Sequence, residues 1–107
     1  MTPIQIFSHA GKFAENKDVA KELREKYIMP ELQNKQEIVI DFTGVDSTTQ
    51  SFIHALISDT MRKFGNDIID KIQFKNCNKK VQTIIEIVVN YMQAVPDISD
   101  NKEDKEE

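Results

Sequence analysis

The sequence predicts an α/β domain: a small, mainly parallel or mixed sheet of three or four strands with about three helices layered on it. Three observations carry this. Extended and helical patterns alternate along the chain, which is the signature of strands joined by helical crossovers. The strongest strand, Glu37–Phe42 (EIVIDF), is almost unbroken apolar sequence, which suits a central, parallel strand and not an edge. Asn78 to Val95 carries apolar residues at i, i+3, i+4 and i+7, a helical stripe too long for a strand.

The elements follow in order. Ile4–Phe7 (IQIF) alternates as a short strand, and Gly11 offers a turn from which Lys12–Ala14 returns, giving a hairpin. Asn16 is an N-cap, and Val19, Leu23 and Tyr27 recur at helical spacing behind it. Glu22 and Lys26 form an i,i+4 pair in the favourable order. Pro30 disfavours helical geometry at Met29, so this helix is expected to end or break near Ile28.

After Glu37–Phe42, Gly44 marks a tight exit. Ser47 to Gln50 has the S-x-x-Q form of a capping box, so the second helix is expected to start there. Ile53, Leu56, Ile57, Met61 and Phe64 form its apolar stripe, and Gly65 stops it. Asp70–Asn76 (DKIQFKN) alternates as a strand, with Ile72 and Phe74 on one face. Asn78 caps the last helix, whose stripe is Val81, Ile84, Ile85, Val88, Met92 and Val95; the β-branched TIIEIVV also suits a strand, and length decides for helix. Pro96 ends it. The expected organisation is one domain over residues 1–96 and an acidic, disordered tail over 97–107.

The chain has 107 residues, 39% hydrophobic and 30% charged, with a net charge of −4. The tail alone holds six acids and two bases, so residues 1–96 are neutral, with 12 of each sign. A neutral body lacks the clustered basic face of a nucleic-acid binder. No apolar run approaches the roughly 20 residues of a membrane span. The start, MTPIQIFSHAGKF, is not built like a secretory signal, and a lone cysteine, Cys77, cannot form an internal disulfide. A cytoplasmic protein is expected. Cys77 is either a reactive thiol or a small residue at a strand end, the second being the plainer reading.

No phosphate-cradling glycine motif is present, and no C-x-x-C or H-x-x-x-H pattern; neither a cofactor nor a metal is expected. Ser51 and His54 sit three apart on one helix, within reach for a nucleophile and base, but no orienting third group accompanies them. Asp41 ends the central strand, where carboxylates either hold ligands or brace turns, and Asp46 is expected to brace. On a wheel of ~100° per residue Ser51 falls opposite the apolar stripe, with Ala55, Ser58 and Arg62, and is expected to be exposed. A phosphate there would sit in the first helical turn, which favours negative charge. Phe52 on the flank of that helix, and Ile87, Tyr91 and Ala94 on the last one, suggest a contact patch.

Residues 38–57, IVIDFTGVDSTTQSFIHALI, resemble the strand–turn–helix core of STAS domains, the fold of bacterial anti-sigma-factor antagonists. More closely, D-F-x-G-V at residues 41–45 followed by T-Q-S-F at 49–52 looks like the STAS-like domain family of unknown function. The likeness continues through IQFKN and the N-x-x-V helix start at Asn78. In the antagonists a serine at this helix start is phosphorylated by a kinase-type anti-sigma factor of the GHKL ATPase fold; ungapped pairing puts Ser51 at that serine, Thr49 and Gln50 at the two residues before it, and Phe52 in place of the glycine after it. The resemblance implies a non-enzymatic regulatory domain that docks a protein partner, of which a GHKL-type ATP-binding protein is one candidate. The expected contact face is Ser47, Thr48, Thr49, Gln50, Ser51, Phe52 and Ala55, with phosphorylation of Ser51 as an off-switch. The alternatives are a sensor of a nucleotide or lipid near the same helix start, and an enzyme using Ser51, His54 or Asp41.

Overall fold

The computed structural model describes residues 3–94. The expectations for Val95, Pro96 and the acidic tail lie outside the described residues. The chain runs β1 (Ile4–Gln5), α1 (Ile6–Ala10), β2 (Phe13–Ala14), α2 (Lys17–Leu23), a π-helical turn (Arg24–Ile28), α3 (Met29–Gln33), β3 (Ile38–Asp41), β4 (Ser47–Thr48), α4 (Gln50–Phe64), a 3-10 segment (Asn66–Lys71), β5 (Ile72–Lys75) and α5 (Lys79–Ala94).

The main sheet has the order β1-β3-β5, and both pairings are parallel. β3 is central, as its apolar run predicts. Ile38 and Ile40 pair in register with Ile72 and Phe74, and both are buried in one core with Ile53, Leu56, Ile57, Met61 and Val81. The alternate β3 residues, Val39 and Asp41, are only half-buried, and Gln73 and Lys75 beside them are exposed. The helices therefore cover one face of the sheet, the layered arrangement the sequence implies.

Three expectations about the backbone are corrected. The N-terminal hairpin does not form. Ile6 and Phe7 turn into α1, and Phe13–Ala14 instead pairs in parallel with Ser47–Thr48, making a second, two-stranded ladder. Every pairing among the described residues is parallel, within the mainly parallel or mixed sheet expected. Pro30 does not end the first long helix. The Met29 amide reaches back to the Arg24 carbonyl across a π turn, and α3 restarts with Pro30 in its first turn, where a missing N–H costs nothing.

The third correction concerns the start of α4. Ser47 lies in β4, and Thr49 is the cap: its hydroxyl accepts from the Phe52 amide at 3.1 Å. Other sequence signals hold. The Asn16 side chain accepts from the Asp18 amide at 2.9 Å, and Asn78 Oδ1 from the Val81 amide at 2.9 Å. Asn78 also donates to the Asp46 carbonyl at 2.8 Å, tying the start of α5 to the turn after β3. That turn needs Gly44, which stands at φ +86° with the Phe7 ring 3.1 Å from where a Cβ would be.

Candidate functional site

α2, α4 and α5 enclose an open groove of about 520 Å³. Its floor is the row Ser51, Ala55 and Ser58 on α4, spaced i, i+4 and i+7 and therefore stacked along one face. Small side chains along that row leave room between the flanking helices. One wall is α2, with Lys17 and Lys21; the other is α5, with Ile87 and Tyr91. Ile87 and Tyr91 are 42% and 60% exposed, so the apolar strip expected on the last helix does face outward.

Arg24 crosses from the π turn to α4. Its Nη1 donates to the Ala55 carbonyl at 2.8 Å and lies 3.2 Å from Asp59 Oδ2, while Nη2 pairs with Glu25 at 3.0 Å. Arg62 also meets Asp59, at 3.0 Å. Two arginines are thus matched by two carboxylates. Lys17 and Lys21 have no acidic partner among the described residues, so the groove keeps a positive wall. His54 lines the groove as well; burial, then the nearby Arg62 charge, pulls its pKa below the ordinary histidine value, so it adds little positive charge at neutral pH.

The predicted contact face divides on inspection. Gln50 and Ser51 are exposed at the start of α4 and line the groove, and Ala55 forms part of its floor. Thr49 is exposed, but its hydroxyl is the helix cap. Ser47 and Thr48 are half-buried in β4, and the Thr48 hydroxyl donates to the Ala14 carbonyl at 2.7 Å. Phe52 is not a contact residue: it is fully buried, stacked one turn before the equally buried Leu56 on the core-facing side of α4. Ser58, expected among exposed residues, is 2% exposed, since α2 and its π turn pack along that face.

No hydrogen bond among the described residues joins Ser51 to His54. Asp41 braces the sheet exit: Oδ1 accepts from the Thr43 hydroxyl at 2.6 Å, the Thr43 amide at 2.8 Å and Asn76 Nδ2 at 3.1 Å. These bonds, led by the Thr43 hydroxyl, hold its pKa below the usual aspartate value. Asp46 braces mainly through its backbone, with its carboxylate 3.9 Å from Lys80. Burial, and then the Asp41 charge, push the Cys77 thiol up, which disfavours the thiolate. No cluster of three metal-ligating side chains occurs among the described residues, and no described helix is long and apolar enough to cross a membrane.

The basic row of α2 escaped the sequence reading. Its signal was present: Lys17, Lys21 and Arg24 are spaced i, i+4 and i+7. In a body whose charges sum to zero, such a row is visible only once the helix opposite it is known.

No curated protein and no solved structure matches the chain. A family model does: residues 19–82 match a STAS-like domain of unknown function (DUF4325). That span runs from α2 to the first turn of α5 and includes the D-F-x-G-V turn, Ser51 and most of the groove. With more than half of its length inside that match, the chain belongs to the family of STAS-like domains of unknown function.

Proposed function

We propose that this protein is a non-enzymatic docking domain, and that its partner inserts an acidic segment bearing an apolar side chain into the groove between α2, α4 and α5. One observation carries the reading: Lys17 and Lys21, without acidic partners, face the exposed Ile87 and Tyr91 across a floor of small residues. A positive wall selects an acidic segment, and an apolar wall gives an anchor to bury. The likeness to anti-sigma-factor antagonists makes a GHKL-type ATP-binding protein the partner to test first.

Ser51 is placed to control such docking. It is exposed in the first turn of α4, at the groove's edge. A phosphate there would add about two negative charges. It would be stabilised by the helix dipole and would neutralise the lysine wall that an acidic segment needs.

The test is a titration of the purified domain with a GHKL-type ATP-binding protein of the same organism. Tyr91→Ala and Lys21→Glu are expected to weaken binding about tenfold or more, and Ser51→Asp to weaken it while Ser51→Ala does not. Binding that all four variants leave unchanged would place the docking face elsewhere.

A further inference from the structure

α5 is described as far as Ala94, and residues 95–107 follow it. That stretch holds Asp97, Asp100, Glu103, Asp104, Glu106 and Glu107 against Lys102 and Lys105, so it carries the whole −4 of the chain. Just past Pro96 it also holds an apolar side chain, Ile98. The groove has a lysine wall, Lys17 and Lys21, and an apolar wall, Ile87 and Tyr91, both facing outward. An acidic segment with an apolar anchor is the occupant such a pair of walls selects. The chain carries a segment of that chemistry directly after the helix that forms one wall.

The reach and the register fit as well. Arg24 meets Ala55, and Met29, five residues on, meets Thr60, also five residues on, so α2 and α4 run side by side in the same direction. Asn78 caps α5 and donates to the Asp46 carbonyl just before β4, which sets the start of α5 beside the start of α4. β3 and β5, the strands that feed these two helices, are parallel, so α5 runs the same way. Ala94 therefore lies at the far end of the groove, past Tyr91, while Lys21 and Lys17 lie alongside the first turn of α4. Lys79–Ala94 spans roughly 22 Å at ~1.5 Å per residue. An extended chain covers ~3.3 Å per residue. Ile98, four residues past Ala94, reaches about 13 Å, enough for Tyr91 one turn back along α5. Asp100, Glu103 and Asp104 reach about 20 to 33 Å, the span back to Lys21 and then to Lys17.

We propose that the acidic stretch 97–107 folds back into the groove of its own chain and holds it against a partner. Ile98 lies against Tyr91 and Ile87, and Asp100, Glu103 and Asp104 meet Lys21 and Lys17. The competition with a partner rests on the docking reading; the contact within the chain does not. A short attachment keeps the segment at an effective concentration on the order of millimolar, so weak contacts fill the groove. Pairs to exposed lysines are screened by salt, so the segment is released as ionic strength rises. A partner displaces it by bringing a larger anchor than Ile98.

The experiment uses the full chain. Zero-length carbodiimide coupling of the dilute protein in low salt, with the monomer recovered and digested for mass spectrometry, reads which lysines the tail acids touch. Lys17 and Lys21 are expected to couple to Asp100, Glu103 or Asp104 about fivefold more often than Lys79 and Lys80, which stand outside the groove at the start of α5 and within the same reach of Ala94. Salt at about 1 M should erase the preference, and Ile98→Ser should roughly halve it. A labelled peptide of residues 96–107 should bind a chain with its tail acids changed to amides about fivefold tighter than the native chain, the factor expected when the groove is filled about four-fifths of the time. Coupling spread evenly over the four lysines would overturn the proposal, and so would equal peptide affinity for the two chains. Even coupling beside partner binding that Tyr91→Ala and Lys21→Glu weaken would leave the docking reading in place. Partner binding indifferent to those two variants, with the couplings still confined to Lys17 and Lys21, would do the reverse.

Discussion

Phe52 offers the sharpest test of how this helix is seated. On the sequence pattern it lies at the flank of α4 and would be part of a contact surface. In the structure its ring is fully buried. An aromatic ring that leaves water removes about 150–200 Å² of surface, worth about 4 kcal/mol at ~25 cal/mol/Å². Phe52→Ala should therefore lower stability by about 3–5 kcal/mol, cavity included. For a domain of this size that is a fall of roughly 15–30 °C in Tm. The backbone amide of residue 52 still reaches Thr49, so the loss reports packing and not capping. Phe52→Leu, which keeps most of the apolar volume, should cost about 1–2 kcal/mol. Tyr91→Ala, at a residue 60% exposed, should change stability by less than about 0.5 kcal/mol. Urea unfolding followed by circular dichroism measures all three. If Phe52→Ala shifts the midpoint by less than about 1 kcal/mol at unchanged m-value, the ring is not in the core, and the seating of α4 described above is wrong.

Further outcomes follow from the same geometry. Thr49→Ala removes the cap on α4 and should cost about 1 kcal/mol, whereas Thr49→Ser restores it and Ser47→Ala has little effect; equal losses at 47 and 49 by thermal unfolding would return the cap to the S-x-x-Q box. Gly44→Ala forces a side chain to φ +86° against the Phe7 ring and should cost about 1–3 kcal/mol; a Phe7→Ala background should recover only the contact portion, and full recovery would show that the backbone angle carries no strain. Asp41 has a folded pKa below its unfolded value, so its contribution is present above about pH 4 and is lost as pH falls through the lowered folded value. Asn76→Ala removes one of its donors and should flatten that acid-side loss in urea midpoints measured from pH 5 down to pH 2.5; an unchanged slope would remove Asn76 from the account.

What the sequence made legible was whatever depended on short range. β3 could be read because four of the six residues in EIVIDF are large and apolar, and Gly44 closes the run at strand length. The caps at Asn16 and Asn78 were legible because a cap is a contact across two or three residues. The misreadings share the opposite cause. Ser47 looks like a cap until Phe13–Ala14, over thirty residues earlier, claims it as a strand partner. Ser58 looks solvated until α2 packs along it. Pro30 looks like a stop until the wider π turn before it absorbs the missing bond. The family likeness was carried by residues 38–57 and the strand and helix start after β3, the part of the chain where local signals are densest.

The groove itself follows from a conflict between two demands on α4. The helix must bury Phe52, Ile53, Leu56, Ile57 and Met61 against the sheet, and it also lies between α2 and α5. Large residues on its outer face would fill the space between those helices and give a sealed layer. Ser51, Ala55 and Ser58 stand there instead, and α2 contributes charged residues in place of apolar ones along the seam. A layer built only for stability would close this seam, since each buried methylene is worth about 0.8 kcal/mol. Arg24, held by the Ala55 carbonyl and by Asp59, props the seam at one end with its charge compensated. Lys17 and Lys21 leave it uncompensated at the other. Packing explains the first arrangement without a ligand. It does not explain the second, and that asymmetry along one helix pair is the physical reason to seek an anionic occupant at the Ser51 end.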